Sequence, residues 1–190
     1  MTKTRRRTPG GMVSVRKAYE DLGAETYYRE QGENYRNPHE PVLVSCLHDA
    51  VSKWELNLDH VLDLACGSGE VTLALQKNGA NITGNDPFTF AAFEKRTGKP
   101  ALRFTFRDIA GGALHGEKYT LIVCSFALHL AEASVLPVLC QQLAAISDTL
   151  VVLTPHKRPD LKTAWGWELQ DEFLHERVRT RLYRRTFAAG

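Results

Sequence analysis

Short apolar runs alternate with amphipathic stripes along most of this chain. Residues 60–64, 81–85, 102–106, 119–125 and 150–154 are β-prone and too short for helices, so they predict five strands. After the first run, Val71, Leu73, Ala74 and Leu75 carry a helical spacing that Asn78-Gly79 should end. Asp86-Pro87 is expected to open the next helix, with Pro87 at its first position, and residues 135–146 form another. Upstream, Val42, Val44, Leu47, Ala50 and Val51 place a core-packing helix over 40–54. The run 119–125 is the most continuously apolar, as a central parallel strand should be. Strand and helix alternating at this spacing predict an α/β fold, a doubly wound and mostly parallel sheet with helices on both faces. Beyond the fifth strand the alternation stops, and 167–173 and 177–187 show strand character with no helical period.

The N-terminal part behaves differently. Residues 1–12 are polar, basic and glycine-containing, which predicts a disordered tail. Residues 13–40 are helix-compatible but place Tyr19, Tyr27, Tyr28 and Tyr35 close together, the composition of a face that is both packed and wet. That segment reads either as a lid over a site or as packing against the sheet edge. Residues 41–190 then form the main domain, and a chain of 190 residues has room for one core. With 43% hydrophobic and 24% charged residues the composition is that of a soluble globular protein, and a net charge of +2 implies no particular partner. The distribution says more. Lys3, Arg5, Arg6, Arg7, Arg16 and Lys17 crowd one end, and Arg177, Arg179, Arg181, Arg184 and Arg185 crowd the other. They read as solvated charge or as a surface for an anionic partner such as RNA.

Cys46, Cys66, Cys124 and Cys140 lie far apart without a Cys-x-x-Cys pair, so reduced thiols and an intracellular, cytoplasmic setting are expected. No metal site is expected. No apolar run approaches the ~20 residues of a membrane span, and the basic start has no apolar stretch behind it, so a secretory signal is not expected.

Residues 61–70, Val-Leu-Asp-Leu-Ala-Cys-Gly-Ser-Gly-Glu, join a buried-strand signature to a glycine turn and a helix. Such a turn leaves backbone N–H groups at the helix start for a polar ligand, and Gly67 and Gly69 let that ligand touch backbone. A dinucleotide fingerprint would need a third glycine at position 72, where Thr72 stands. That argues against a nicotinamide-dependent oxidoreductase. An acid about 20 residues past a glycine turn reads as a ribose ligand, and Asp86 holds that place, twenty-three positions after Asp63. It is equally placed to cap the helix opening at Pro87.

The pattern Asp63-x-Ala65-Cys66-Gly67-x-Gly69 resembles motif I of the class I S-adenosylmethionine (SAM) methyltransferases, with Ala65 where that family more often has glycine. The resemblance covers about residues 41–187. It implies a seven-stranded sheet completed by an antiparallel C-terminal strand pair, and SAM as cofactor. It implies that Asp63 and the backbone from Ala65 through Cys66 and Gly67 to Gly69 hold the amino-acid tail of SAM, and it sets Pro87 and Phe88 beside the ribose and adenine. Asp108 would accept from the adenine amino group while the N–H of Ile109 faces a ring nitrogen. Cys124-Ser125-Phe126-Ala127-Leu128-His129-Leu130 resembles the segment after strand four in small-molecule and ubiquinone-type methyltransferases, so Ser125 and Phe126 would lie along the cofactor.

Ligands of open α/β sheets bind beyond the carboxyl ends of the strands. There, His129 is the first candidate for a general base and His156 the second, because imidazole titrates nearest neutrality. A core histidine satisfied by backbone is the plainer reading of His129. Tyr28 and Tyr35, with Tyr27, Asn37 and His39, are the lid residues placed to reach the cofactor. The implied reaction is methyl transfer from SAM to an O, N or S nucleophile of a small molecule or of RNA or protein, with an anionic acceptor suggested by the basic ends. The alternative is a non-catalytic SAM-binding subunit or scaffold of the same fold.

Overall fold

The computed structural model of the protein describes Gly32 and residues 35–186. The basic tail 1–12, Tyr19, Tyr27, Tyr28 and Phe187 lie outside the described residues. Helix α1 spans Glu40–Trp54, with a proline in its first turn, Glu40 at its N-terminal end and Lys53 in its last turn, charges that complement the helix dipole. Then follow β1 (Val61–Leu64), α2 (Glu70–Gln76), β2 (Ile82–Asn85), α3 (Phe90–Thr97), β3 (Ala101–Leu102), α4 (Phe106–Ala110), β4 (Leu121–Ser125), α5 (Leu136–Ile146), β5 (Thr149–Thr154), β6 (Trp167–His175) and β7 (Val178–Arg185).

The seven strands form one sheet in the order β3-β2-β1-β4-β5-β7-β6. β1, β2, β3, β4 and β5 are parallel, while β7 runs antiparallel to both β5 and β6. This is the mostly parallel sheet with a reversed terminal hairpin that the sequence and its resemblance imply. Along β1 and β4, alternate side chains enter two separate cores, which is why both strands are buried on both faces. Val61, Leu121 and Val123 pack with Leu43, Leu47, Val71 and Leu75 of α1 and α2. Leu62, Leu64, Ile122 and Cys124 pack with Leu139, Cys140 and Leu143 of α5 and with Ile109 of α4. Trp167 pins β6 to this second core, fully buried with its indole N–H donating to the Cys140 carbonyl at 2.9 Å. Removing ~200 Å² of indole from water is worth roughly 4–6 kcal/mol, which anchors the hairpin to the parallel strands.

Two local expectations give way to side-chain capture of the backbone. Residues 102–106 were expected to be a strand, but β3 is two residues long and Phe106 already begins α4. Thr105 and Asp108 form a reciprocal capping box that starts the helix directly after the strand. Pro87 does not open a helix. The Asp86 carboxylate accepts from the N–H groups of Phe88 and Thr89 at 2.9 and 2.8 Å, and this turn delays α3 to Phe90.

Candidate functional site

The ends of β1, β2 and β4 open into a cavity of about 280 Å³. Its floor comes from Ala65 and Gly67, one end from Asn85, Asp86, Pro87, Phe88 and Thr89, and the opposite wall from Ser125, Phe126 and Ala127. Phe104, Thr105, Phe106 and Arg107 close the side beyond β3, with Leu130, Glu132 and Val135 facing them. Arg107 and Glu132 meet in a two-pronged ion pair, Nε to Oε1 at 3.1 Å and Nη2 to Oε2 at 2.5 Å, which joins α4 to the segment before α5 at the cavity mouth.

The floor is built by backbone that bends the wrong way for ordinary residues. Ala65, Gly67 and Gly69 all have positive φ, 58°, 58° and 90°. Glycine takes this region freely, whereas Ala65 is held there at a cost of about 1–2 kcal/mol. Phe126, at the end of neighbouring β4, is the same kind of exception with φ 56°. Two such residues on adjacent strand tips mark where the fold holds strain. The Gly67 position is tight, since a Cβ there would lie 3.1 Å from the Tyr35 ring and 3.2 Å from the Glu70 carboxylate, so one neighbour would have to move. Gly69 is closed from the other side, where a Cβ would come within 2.6 Å of the Thr97 methyl.

Three buried carboxylates surround this turn. Asp63 is fully buried beneath it, and one of its oxygens accepts from the Thr72 hydroxyl at 2.7 Å and the Thr72 N–H at 3.2 Å. The other oxygen has no partner, and burial raises the carboxyl to about 7. Asp86 is 8% exposed at the tip of β2. Besides the Phe88 and Thr89 N–H groups it accepts the Gly67 N–H at 3.3 Å, and burial outweighs these bonds to move its pKa upward. Glu70, 3% exposed, accepts from the N–H of Asn37 and of Ser68, each at 3.1 Å, and from the Ser68 hydroxyl. One guanidinium, that of Arg96, lies 3.5 Å from Glu70 and also pairs with Glu40. Burial thus disfavours the charged forms of Asp63 and Asp86, and a cationic ligand at the turn would favour them.

The predicted residues divide into two groups. Tyr35, Ala65, Gly67, Asp86, Pro87, Phe88, Ser125 and Phe126 meet on the cavity wall. Asp63, Cys66 and Gly69 lie beneath it, supporting the turn, and burial pushes the Cys66 thiol far up, so it is an inert packing group. Asp108 and Ile109 do not line the cavity. The Asp108 carboxylate is exposed and accepts from the Thr105 N–H and hydroxyl, while the Ile109 N–H donates to the Thr105 carbonyl at 3.0 Å, so both groups serve the start of α4. The cavity wall there is made by Phe104, Thr105, Phe106 and Arg107 instead. Tyr28 lies outside the described residues.

His129 and His156 come from different segments, yet their rings stand 4.3 Å apart between centroids. Neither lines the cavity; both are exposed beside its β4 wall. Partial burial of the ring and the neighbouring His156 lower the pKa of His129 to about 4, which keeps it neutral near pH 7. On the same side the His39 ring stacks on Phe126 at 5.5 Å.

Other supporting residues escape a reading of the sequence. Ser68, Glu70 and Arg96 tie the turn to α3 and to Asn37. The Thr89 hydroxyl donates to the Gly67 carbonyl at 2.8 Å. The Asn85 amide exchanges two hydrogen bonds with the backbone of Phe104, at 2.9 and 3.0 Å, holding the tips of β2 and β3 together. Glu70 carries a usable signal, a buried acid at the first position of a helix whose next residues are mostly apolar. The partners across the sheet carried none.

Comparison with known proteins agrees with this geometry. A family model described as a methyltransferase domain matches residues 61–148. The uncharacterized protein C17A5.05c of Schizosaccharomyces pombe is 33% identical over 218 aligned positions, covering 85% of this chain and 88% of the relative. The fold is similar to that of magnesium protoporphyrin IX methyltransferase from Synechocystis, solved with SAM bound, with a TM-score of 0.58 and 18% identity over 94% of this chain and 100% of that one. It is also similar to a TehB-like SAM-dependent methyltransferase from Corynebacterium glutamicum, with a TM-score of 0.57 and 13% identity over 90% of this chain and 100% of that one. The residues lining the cavity suit that cofactor, with an acid at the tip of β2 for a diol and phenylalanine walls for a planar base. The chain carries a methyltransferase domain over residues 61–148, on the fold of the class I S-adenosylmethionine-dependent methyltransferases.

Proposed function

We propose that the protein is a catalytically competent methyltransferase acting on an O, N or S nucleophile of its acceptor, a small molecule or a site on RNA or protein, rather than a non-catalytic binding subunit. Asp86 is the observation that carries cofactor binding in this reading, and formation of demethylated cofactor with turnover separates it from a binding subunit. Asp86 stands at the cavity end with its carboxylate aimed by three backbone N–H groups, and one oxygen bears only the long 3.3 Å bond from Gly67. That oxygen is available to ribose hydroxyls. The bound cofactor supplies an activated methyl group. The protein's share is to hold the donor against Gly67 and Phe126, exclude water and align the nucleophile, and alignment alone supplies much of the rate. We assign to His129, outside the cavity but beside its β4 wall, the role of base for an acceptor that arrives protonated, with His156 in contact with it.

Calorimetric titration with SAM and with its demethylated product tests the assignment. Asp86→Ala should weaken both by ~1–3 kcal/mol through loss of charge-assisted hydrogen bonds. Equal affinities in variant and wild type would remove Asp86 from the ribose.

The segment 13–40 is proposed as a lid, of which Tyr35, Asn37 and His39 are the described end. Tyr35 covers Gly67, Asn37 reaches Glu70 and His39 stacks on Phe126. Deleting residues 1–12 should change neither the melting temperature nor cofactor affinity. Deletion through His39 should destroy tight cofactor binding and turnover while the sheet still melts cooperatively. Wild-type affinity in the longer truncation would reduce the tyrosines to surface packing.

A further inference from the structure

The loop that leaves β5, residues 155–160, is held by an unusual means. Arg181 of β7 is 4% exposed, yet its guanidinium reaches under this loop rather than into solvent. Nη2 donates to the Lys157 carbonyl at 2.8 Å, Nη1 to the Pro159 carbonyl at 3.1 Å and Nε to Glu172 at 3.0 Å. Burying a guanidinium is costly unless its donors are satisfied, and here two of the three bonds go to backbone of one exposed loop. The Thr154 hydroxyl fixes the loop's start by accepting the His156 N–H at 3.1 Å.

What the loop displays is positive. His156, Lys157 and Arg158 are exposed in succession, and among the described residues neither Lys157 nor Arg158 enters an ion pair. The nearby carboxylates are already engaged, Asp160 and Glu172 with Arg181 and Glu132 with Arg107. The position is equally specific. The Phe126 N–H donates to the Leu153 carbonyl at 2.8 Å, so the tips of β4 and β5 are level, and His156 touches His129 of the segment after β4. Asp86 stands on β2, three strands away from β5, which at ~4.8 Å per strand puts the loop roughly 14 Å from the ribose end of the cavity. A cofactor with its ribose at Asp86 leaves this loop facing the acceptor.

We propose that Lys157 and Arg158, on a loop clamped by Arg181 and beside the His129–His156 pair, bind a carboxylate or phosphate group carried by a small-molecule methyl acceptor. The orientation rests on the cofactor reading above; the anion site itself does not. Two adjacent cations suit one compact anionic group, whereas nucleic-acid binding draws on a run of phosphate contacts.

The imidazole signals of His129 and His156, followed by nitrogen-15 NMR, report on this site directly. Inorganic pyrophosphate and citrate are titrated separately, to distinguish phosphate from carboxylate recognition, with and without the demethylated cofactor. Either anion should shift both imidazole signals saturably and raise the pKa of His129, since a nearby negative charge favours imidazolium. Lys157→Ala/Arg158→Ala should weaken that binding more than tenfold, Lys157→Arg should retain it, and cofactor affinity should stay within twofold in each. Absent shifts, or shifts unchanged in the double alanine variant, would overturn the proposal. So would a ten-nucleotide RNA that binds far more tightly than pyrophosphate and is lost steeply with salt. Failure of the cofactor to bind sinks the cofactor reading alone, because the anion titration of the free protein still decides this one.

Discussion

Gly67→Val should abolish cofactor binding and leave the fold standing. Position 67 has φ +58° and lies between the Tyr35 ring and the Glu70 carboxylate. A β-branched residue there meets the left-handed penalty of about 1–2 kcal/mol and must also displace one neighbour. Glu70 cannot move freely, because it holds the N–H groups of Asn37 and Ser68. Tyr35 is the group that gives way, and its displacement together with the new side chain fills the cavity floor. Titration with the demethylated cofactor should then show no heat at millimolar concentration, while the melting temperature falls by a few degrees, as ~1–3 kcal/mol implies at this chain length. Binding within threefold of wild type would show the turn to be structural only.

His129→Ala should lower the single-turnover rate by ~10²–10⁴ with little change in cofactor affinity. The structure sharpens this expectation in two ways. The ring is partly covered and packs on His156, so truncation removes some packing and the melting temperature should fall by no more than a few degrees. A large fall in melting would instead make it a packing residue. Its pKa is depressed toward 4 by burial of the ring and by His156, and the neutral form is the base. The rate should therefore hold steady as pH drops through 6.5 and decline only as it approaches 4. An inflection near 6.5 that His129→Ala removes would mean that bound acceptor restores the ordinary imidazole pKa, the direction an anionic acceptor produces. A loss under about tenfold would point to an acceptor that is already a free nucleophile, for which positioning suffices.

Both variants sit in parts of the chain whose meaning is local. A glycine turn between an apolar run and a helical stripe, with Asp86 twenty-three residues after Asp63, is written in consecutive residues. Hydrophobic period reports strand and helix because it records which face of a short element is dry, and this was enough for the parallel strands and the hairpin. It was not enough for residues 102–110. There the Thr105-Asp108 capping box outcompeted a β-prone run, and the signal, a threonine followed three residues later by an acid, was present in the sequence. Likewise Asp86-Pro87 looked like a helix start because the competing turn depends on the aspartate side chain folding onto the N–H groups of Phe88 and Thr89.

The sequence by itself determined the alternating α/β architecture, the glycine turn at Ala65–Gly69 and the acid at the second strand tip, because each depends on residues within one element or its flanking turn. Only the tertiary structure decided which charges meet. Glu70 with Asn37 and Arg96, Arg107 with Glu132, His129 with His156, and Arg181 with the carbonyls of Lys157 and Pro159 are pairs separated by 22 to 33 positions, apart from Ser68 beside Glu70. Their meeting follows from strand order and register, which place the tips of β1, β2, β4 and β5 side by side. Coulombic and hydrogen-bonding partners are set by distance in space, and no local period encodes that distance.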